Sequence, residues 1–143
     1  MDFSEAVARG FQDAPFVAKL GIELLDLGEG WCEAGLKLED WHLQQNGLAH
    51  AGVLATLADH CAGAAATTRL RDGESVVTAE FKINLLRPAR GERLHCRAEV
   101  LKPGRALVVV EAEVFASTRD ARQLVAKLNA TMAVLKFPPP GPG

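Results

Sequence analysis

Only one segment of this chain can form a long helix, and it has to serve a sheet of about six strands. Residues 49–70, AHAGVLATLADHCAGAAATTRL, are rich in alanine and free of proline. Alanine is the strongest helix former, although Gly52 and Gly63 each weaken the segment by about 1 kcal/mol. Arg69 and Arg71 near its end suit the negative pole of a helix dipole. After Gly73 the periodicity changes to two. Val77, Ala79, Phe81, Ile83 and Leu85 alternate with Thr78, Glu80, Lys82 and Asn84, which puts Thr78 on the polar side of its strand. Leu94, Cys96, Ala98 and Val100 follow, then Ala106 to Ala116 and Leu124 to Val134 on the same period. Such runs, joined by Gly, Pro or charged turns, predict a meander of antiparallel strands with one face buried.

Ahead of the helix, Phe3, Val7 and Phe11 predict a short helix over residues 2–12, with Pro15 marking the break after it. Two strands flank the turn Gly28-Glu29-Gly30, and residues 39–49 read as loop. One helix cannot cover both faces of six strands. The economical α+β solution is a curved antiparallel sheet wrapped around the helix. Gly52, Ala55, Ala58, Ala62, Gly63, Ala65 and Ala66 permit that close approach. The uncovered edge favours a homodimer or homotetramer. Residues 1–137 form one domain of ordinary size, and the tail PPPGPG, 138–143, cannot join a sheet.

Composition narrows the function. A net charge of −2 and a pI near 6.1 argue against a nucleic-acid binder. No run approaches the roughly 20 apolar residues of a membrane span, and the N-terminus lacks the apolar core of a signal peptide. Cys32, Cys61 and Cys96 are scattered among apolar neighbours, as buried thiols of a reducing compartment are. The cytoplasm is the expected location. The histidines show no metal-binding spacing, and Gly28 and Gly30 precede no helix, so neither a metal nor a nucleotide loop is expected.

Asp59 falls on one side of the helix with Gly52, Ala55, Thr56, Ala62 and Gly63. A lone helical aspartate is ordinarily a solvated surface group. One walled by small apolar residues is poorly solvated and basic. The segment leading into the helix, residues 44–52 (QQNGLAHAG), places small residues where first-turn amides lack partners. Such amides can polarise a carbonyl in acyl transfer. Asp59 lies two turns further on, so both groups can act together only across a cleft, with a second subunit as the expected source of one of them.

The spacing of Gln44, Gly47, His50-Ala51-Gly52 and Asp59 resembles the hotdog-fold thioesterases of the phenylacetate-degradation, PaaI-like type, within the 4-hydroxybenzoyl-CoA thioesterase superfamily. That family carries Asn or Gln, then Gly, then His-Gly-Gly, with an acid nine residues after the His. The flanking residues 15–36 and 76–105 resemble the family's strands as well. The resemblance implies a hotdog fold and hydrolysis of a small acyl- or aryl-CoA thioester, with CoA as part of the substrate and no other cofactor. It implies Asp59 as general base or nucleophile. The Ala51 amide, helped by Gly52, would be the oxyanion hole. Gln44, or Asn46 if the loop is shifted, would orient the water or the carbonyl, and Thr78 would come from a partner subunit. His50 is expected mainly to fix the loop by hydrogen bonding. Arg87, Arg90, Lys102 and Arg105 are candidates for the CoA phosphates, with solvated turn charges as the plainer reading of each. Ala51 replaces the family's glycine and would restrict a loop that needs positive φ. A non-catalytic acyl-thioester binder is the alternative. A hydratase, which needs a differently spaced His and acid, ranks below it.

Overall fold

In a computed structural model, which describes residues 2–136, the chain forms three α-helices, a short 3-10 helix (Asp40–His42) and one sheet. Helix α1 (Phe3–Asp13) is capped by the Asp2 carboxylate, which accepts from the Ser4 amide, and it buries Val7 and Phe11. Pro15 does not only end it. With its fixed φ and missing N–H it opens a second short helix, α2 (Pro15–Leu20), which Gly21 closes at φ 82°. Strands β1 (Glu23–Gly28) and β2 (Trp31–Lys37) form the expected hairpin. Helix α3 (Ala51–Thr67) is shorter at both ends than its composition predicts. Strands β3 (Glu74–Leu85), β4 (Arg93–Pro103), β5 (Leu107–Ser117) and β6 (Arg122–Lys136) complete the fold. The proline-glycine tail lies outside the described residues.

All pairs are antiparallel, in the order β1-β2-β4-β5-β6-β3. The expected meander therefore holds only for β4, β5 and β6. Strand β3 pairs with β6 at the far edge, and the segment after it, containing Pro88, crosses to β4 instead of turning back as a hairpin. The sheet wraps α3, whose Val53, Leu54, Leu57, Cys61, Ala64 and Ala65 are all buried. Cys32, Leu36, Leu94, Cys96, Val110, Val114 and Leu128 meet them from the strands. The three thiols are free and buried, and the Cys61 thiol donates to the Cys32 carbonyl at 3.3 Å.

A bulge at Ala79 decides which way β3 faces. Thr78 pairs with Met132, but Glu80 pairs with Thr131, so one residue is skipped. Below the bulge, Val76 and Thr78 face the helix with Met132, which is fully buried; above it, Phe81, Ile83 and Leu85 do, opposite Ala130, Leu128 and Ala126. A strict period of two through the whole strand would have put Thr78 on the other face, and that expectation is corrected.

Candidate active site

Asp59 sits midway along α3, half-buried, where it lines two adjoining cavities. One, of about 310 Å³, lies between α1, α3 and the start of β3. The other, of about 260 Å³, is bordered by Phe16, Thr56, His60 and Phe81. The Thr78 hydroxyl donates to Asp59 Oδ1 at 2.7 Å and also contacts Met132 Sδ at 3.4 Å. Thr78 therefore reaches the acid of its own chain, not that of a partner, because the Ala79 bulge turns it inward. Ala62, expected on the Asp59 side, is instead fully buried against the sheet.

The start of α3 forms a second assembly. His50 is the N-cap: its Nδ1 accepts from the Gly52 amide at 2.9 Å, and its backbone N–H donates to the His42 carbonyl at 2.9 Å. A Cβ on Gly52 would stand 3.1 Å from that ring nitrogen, so glycine suits the cap. The Val53 and Leu54 amides point to the His50 carbonyl. Gly52 is thus engaged with His50, contrary to the expectation that its amide assists Ala51. Among these first-turn amides of the described residues, Ala51 N–H alone has no protein acceptor. Ala51 is exposed and has no positive φ, so the freedom of the family's glycine is not used here.

Ala51 borders a cavity of about 460 Å³ together with Gln44, His50, Leu85, Leu86 and Arg87. Gln44 Oε1 accepts from the amides of Asn46, in a short contact, and Leu48, at 3.4 Å, which ties the loop together. Asn46 is exposed at the tip of this turn and lines none of these cavities. His42 is buried and satisfied at both nitrogens, by the Glu39 amide and the Leu20 carbonyl, in a structural role.

The chain does not bring its two assemblies together. Asp59 stands eight positions along the helix from Ala51, roughly 12 Å along the axis, and their cavities are distinct. The four basic candidates also diverge. Arg87 borders the Ala51 cavity and donates to the Leu124 carbonyl at 2.9 Å, while Arg90 lies by Glu39 and Asp40. Lys102 and Arg105 stand at the other end of β4, so the four make no single phosphate site within the chain. His60 lines both Asp59 cavities. Its only sequence signal is adjacency to Asp59. Burial holds the imidazole below its ordinary range, against the opposing pull of Asp59 and of the Gly10 backbone.

Comparison with known proteins agrees with this architecture. The family profile described as the thioesterase superfamily matches residues 46–121, which include Ala51, Asp59 and Thr78. A Silicibacter pomeroyi thioesterase family protein superposes with a TM-score of 0.92 at 36% identity, over 94% of this chain and 99% of its own. A thioesterase from Haemophilus influenzae superposes at 0.80 with 28% identity, over 92% of this chain and 90% of its own. The E. coli PaaI protein, at 20% identity and a TM-score of 0.83 over 94% of each chain, shares the fold. A Haemophilus influenzae protein named as an esterase is 33% identical over 98 residues, 68% of this chain and 71% of its own. The chain belongs to the thioesterase superfamily and has its hotdog fold.

Proposed function

We propose that this protein hydrolyses a small acyl- or aryl-CoA thioester to the free acid and CoA, with Asp59 as general base or nucleophile. The observation that carries this reading is the Asp59 carboxylate at the junction of two cavities, oriented by the Thr78 hydroxyl at 2.7 Å. As a base, Asp59 takes a proton from water as the water oxygen attacks the thioester carbonyl. The tetrahedral intermediate then expels CoA thiolate, which takes up that proton. As a nucleophile, the carboxylate itself attacks the thioester carbonyl and expels CoA thiolate, forming a mixed anhydride; water then cleaves the anhydride to the free acid and Asp59, and its proton ends on the CoA thiolate. In either route the Ala51 N–H stabilises the developing oxyanion, and Gln44 borders the same cavity.

The site is completed by a second copy. Strand β3 is an open edge that carries exposed Val77, Phe81 and Leu85, with exposed Phe16 near Phe81. Along β3, Thr78 lies by Asp59 and Leu85 lies by Ala51. A two-fold axis near Phe81, pairing β3 with its copy, exchanges those ends. It sets the Asp59 of one subunit beside the Ala51 amide of the other, across which the thioester spans. Homodimers of this kind, alone or paired into tetramers, are the active form. Arg87 at the Ala51 cavity is the basic residue best placed for a CoA phosphate. Among the described residues no helix is long and apolar enough to cross a membrane; we place the enzyme in the cytoplasm.

Assay of free thiol release from a panel of acyl-CoA esters tests this reading. Asp59→Asn should lower kcat by about 100-fold or more, the usual range for loss of a general base, while ligand binding persists. Binding without thiol release by the unmodified protein would identify a non-catalytic binder. Full turnover by Asp59→Asn would remove Asp59 from the mechanism.

A further inference from the structure

Resting on the hydrolase reading, we propose that helix α1 is the end wall of the acyl site: Gly10 leaves the room for the acyl group, and His60 is the positioning residue that holds the wall in place. The cavity beside Asp59 is closed on one side by Ala6, Val7 and Gly10 of α1, faces Gly63 of α3, and reaches the buried Met132 of β6. Its volume, about 310 Å³, is at the small end for ligand sites, which run from roughly 300 to 1,000 Å³. An acyl group whose carbonyl lies at Asp59 and Thr78 has apolar Val7, Val76 and Met132 for company there. The neighbouring cavity at Phe16 and Phe81 faces the exposed β3 edge instead and is left for the thiol limb.

Gly10 has no local reason to be glycine. It lies inside an α-helix, without positive φ, where glycine costs about 1 kcal/mol relative to alanine. A Cβ built on it meets nothing within 4 Å. Neither a turn nor a close approach requires the residue, whereas a side chain there would grow at the border of the acyl cavity. His60 fixes the distance of this wall from Asp59. Its ring meets Phe11 of α1 edge-on at 4.5 Å between centroids, and it lines the same cavity as Gly10. The helix that bears the acid is thereby tied directly to the helix that limits the substrate.

The test compares acetyl-, hexanoyl- and decanoyl-CoA as substrates of the unmodified protein, Gly10→Leu and His60→Ala. Gly10→Leu should lower the kcat/KM ratio of hexanoyl to acetyl at least about tenfold, the discrimination one misplaced methylene gives in an apolar pocket. The leucine favours the helix, so a folding failure is not expected, and the melting temperature checks it. His60→Ala should shift the ratio of decanoyl to hexanoyl upward, mainly through KM, because the wall is released. A merely structural role would lower all three substrates alike. Unchanged ratios in both variants would overturn the proposal. If the unmodified protein releases no thiol, the same ratios are read from dissociation constants by calorimetry. A shifted ratio then upholds the wall while the hydrolase reading falls, and an absence of binding sinks both.

Discussion

The middle of the sheet and its β3 edge share a period-two sequence pattern and end in different states. In β2, β4 and β5, alternate residues from Cys32 to Leu36, Leu94 to Ala98 and Val108 to Ala116 are buried beneath α3. In β3, residues of equal hydrophobicity remain open: Val77 is 45% exposed, Phe81 40% and Leu85 51%. The middle strands have neighbours on both sides and a helix above them. The edge has β6 on one side and an unpaired row of backbone groups on the other. The difference shows where stability is made and where function is placed. The covered strands supply the core, and the uncovered one carries Thr78 to the acid while keeping an apolar surface for a second copy.

Four substitutions test that contrast. Leu57→Ala should destabilise the most, by about 2–5 kcal/mol, because Leu57 is wholly enclosed between α3 and the strands. Chemical denaturation measures it, and a loss below about 1 kcal/mol would mean that the centre is looser than its burial indicates. Phe81→Asp on the edge should leave the monomer fold intact by circular dichroism. It should halve the mass seen by light scattering for a dimer, and activity should fall with the dimer. A dimer of undiminished mass and activity would show that β3 is not the interface.

Thr78→Val should remove the hydroxyl but keep the shape. A hydrogen bond to a charged group contributes about 1.5–3 kcal/mol, so kcat should fall at least about tenfold with little change in melting temperature. Equal activity would mean that the Asp59 contact orients nothing. The smallest effect is expected on the outer face of the covered strands, where Glu33 accepts from Arg97 at 2.7 Å and lies 3.3 Å from His95. Arg97 above all, with His95, holds the Glu33 carboxyl below its ordinary value. A depressed folded-state value means stability that is present above the unfolded value and lost as pH falls through the folded one. Glu33→Gln should therefore cost at most about 1 kcal/mol at neutral pH for this partly exposed pair, and less in acid. A loss that persists undiminished at low pH would assign the effect to packing instead.

Much of this arrangement was legible in the residues themselves. Period-two runs identified the strands, and the alanine-rich segment identified α3, because burial selects apolar residues at fixed spacing whatever the partner. The spacing from His50 to Asp59 marked both ends of the candidate site. What stayed hidden has a common cause in contacts between distant segments. The Ala79 bulge leaves the composition of β3 untouched, yet it reverses the facing of Thr78. The His50 ring takes the Gly52 amide, which leaves Ala51 alone, and no propensity reports that choice. His60 gains its place only because α1 folds back on α3.

Local sequence determined where this chain is helical, where it is extended, and which side chains seek the interior, since those follow from backbone preference and hydrophobic spacing along the chain. Tertiary structure alone decided that β3 pairs with β6, that Thr78 meets Asp59, and that the acid and the Ala51 amide lie in separate cavities. Those outcomes depend on how strands separated by tens of residues align. A one-residue slip in that alignment changes which face every following side chain takes.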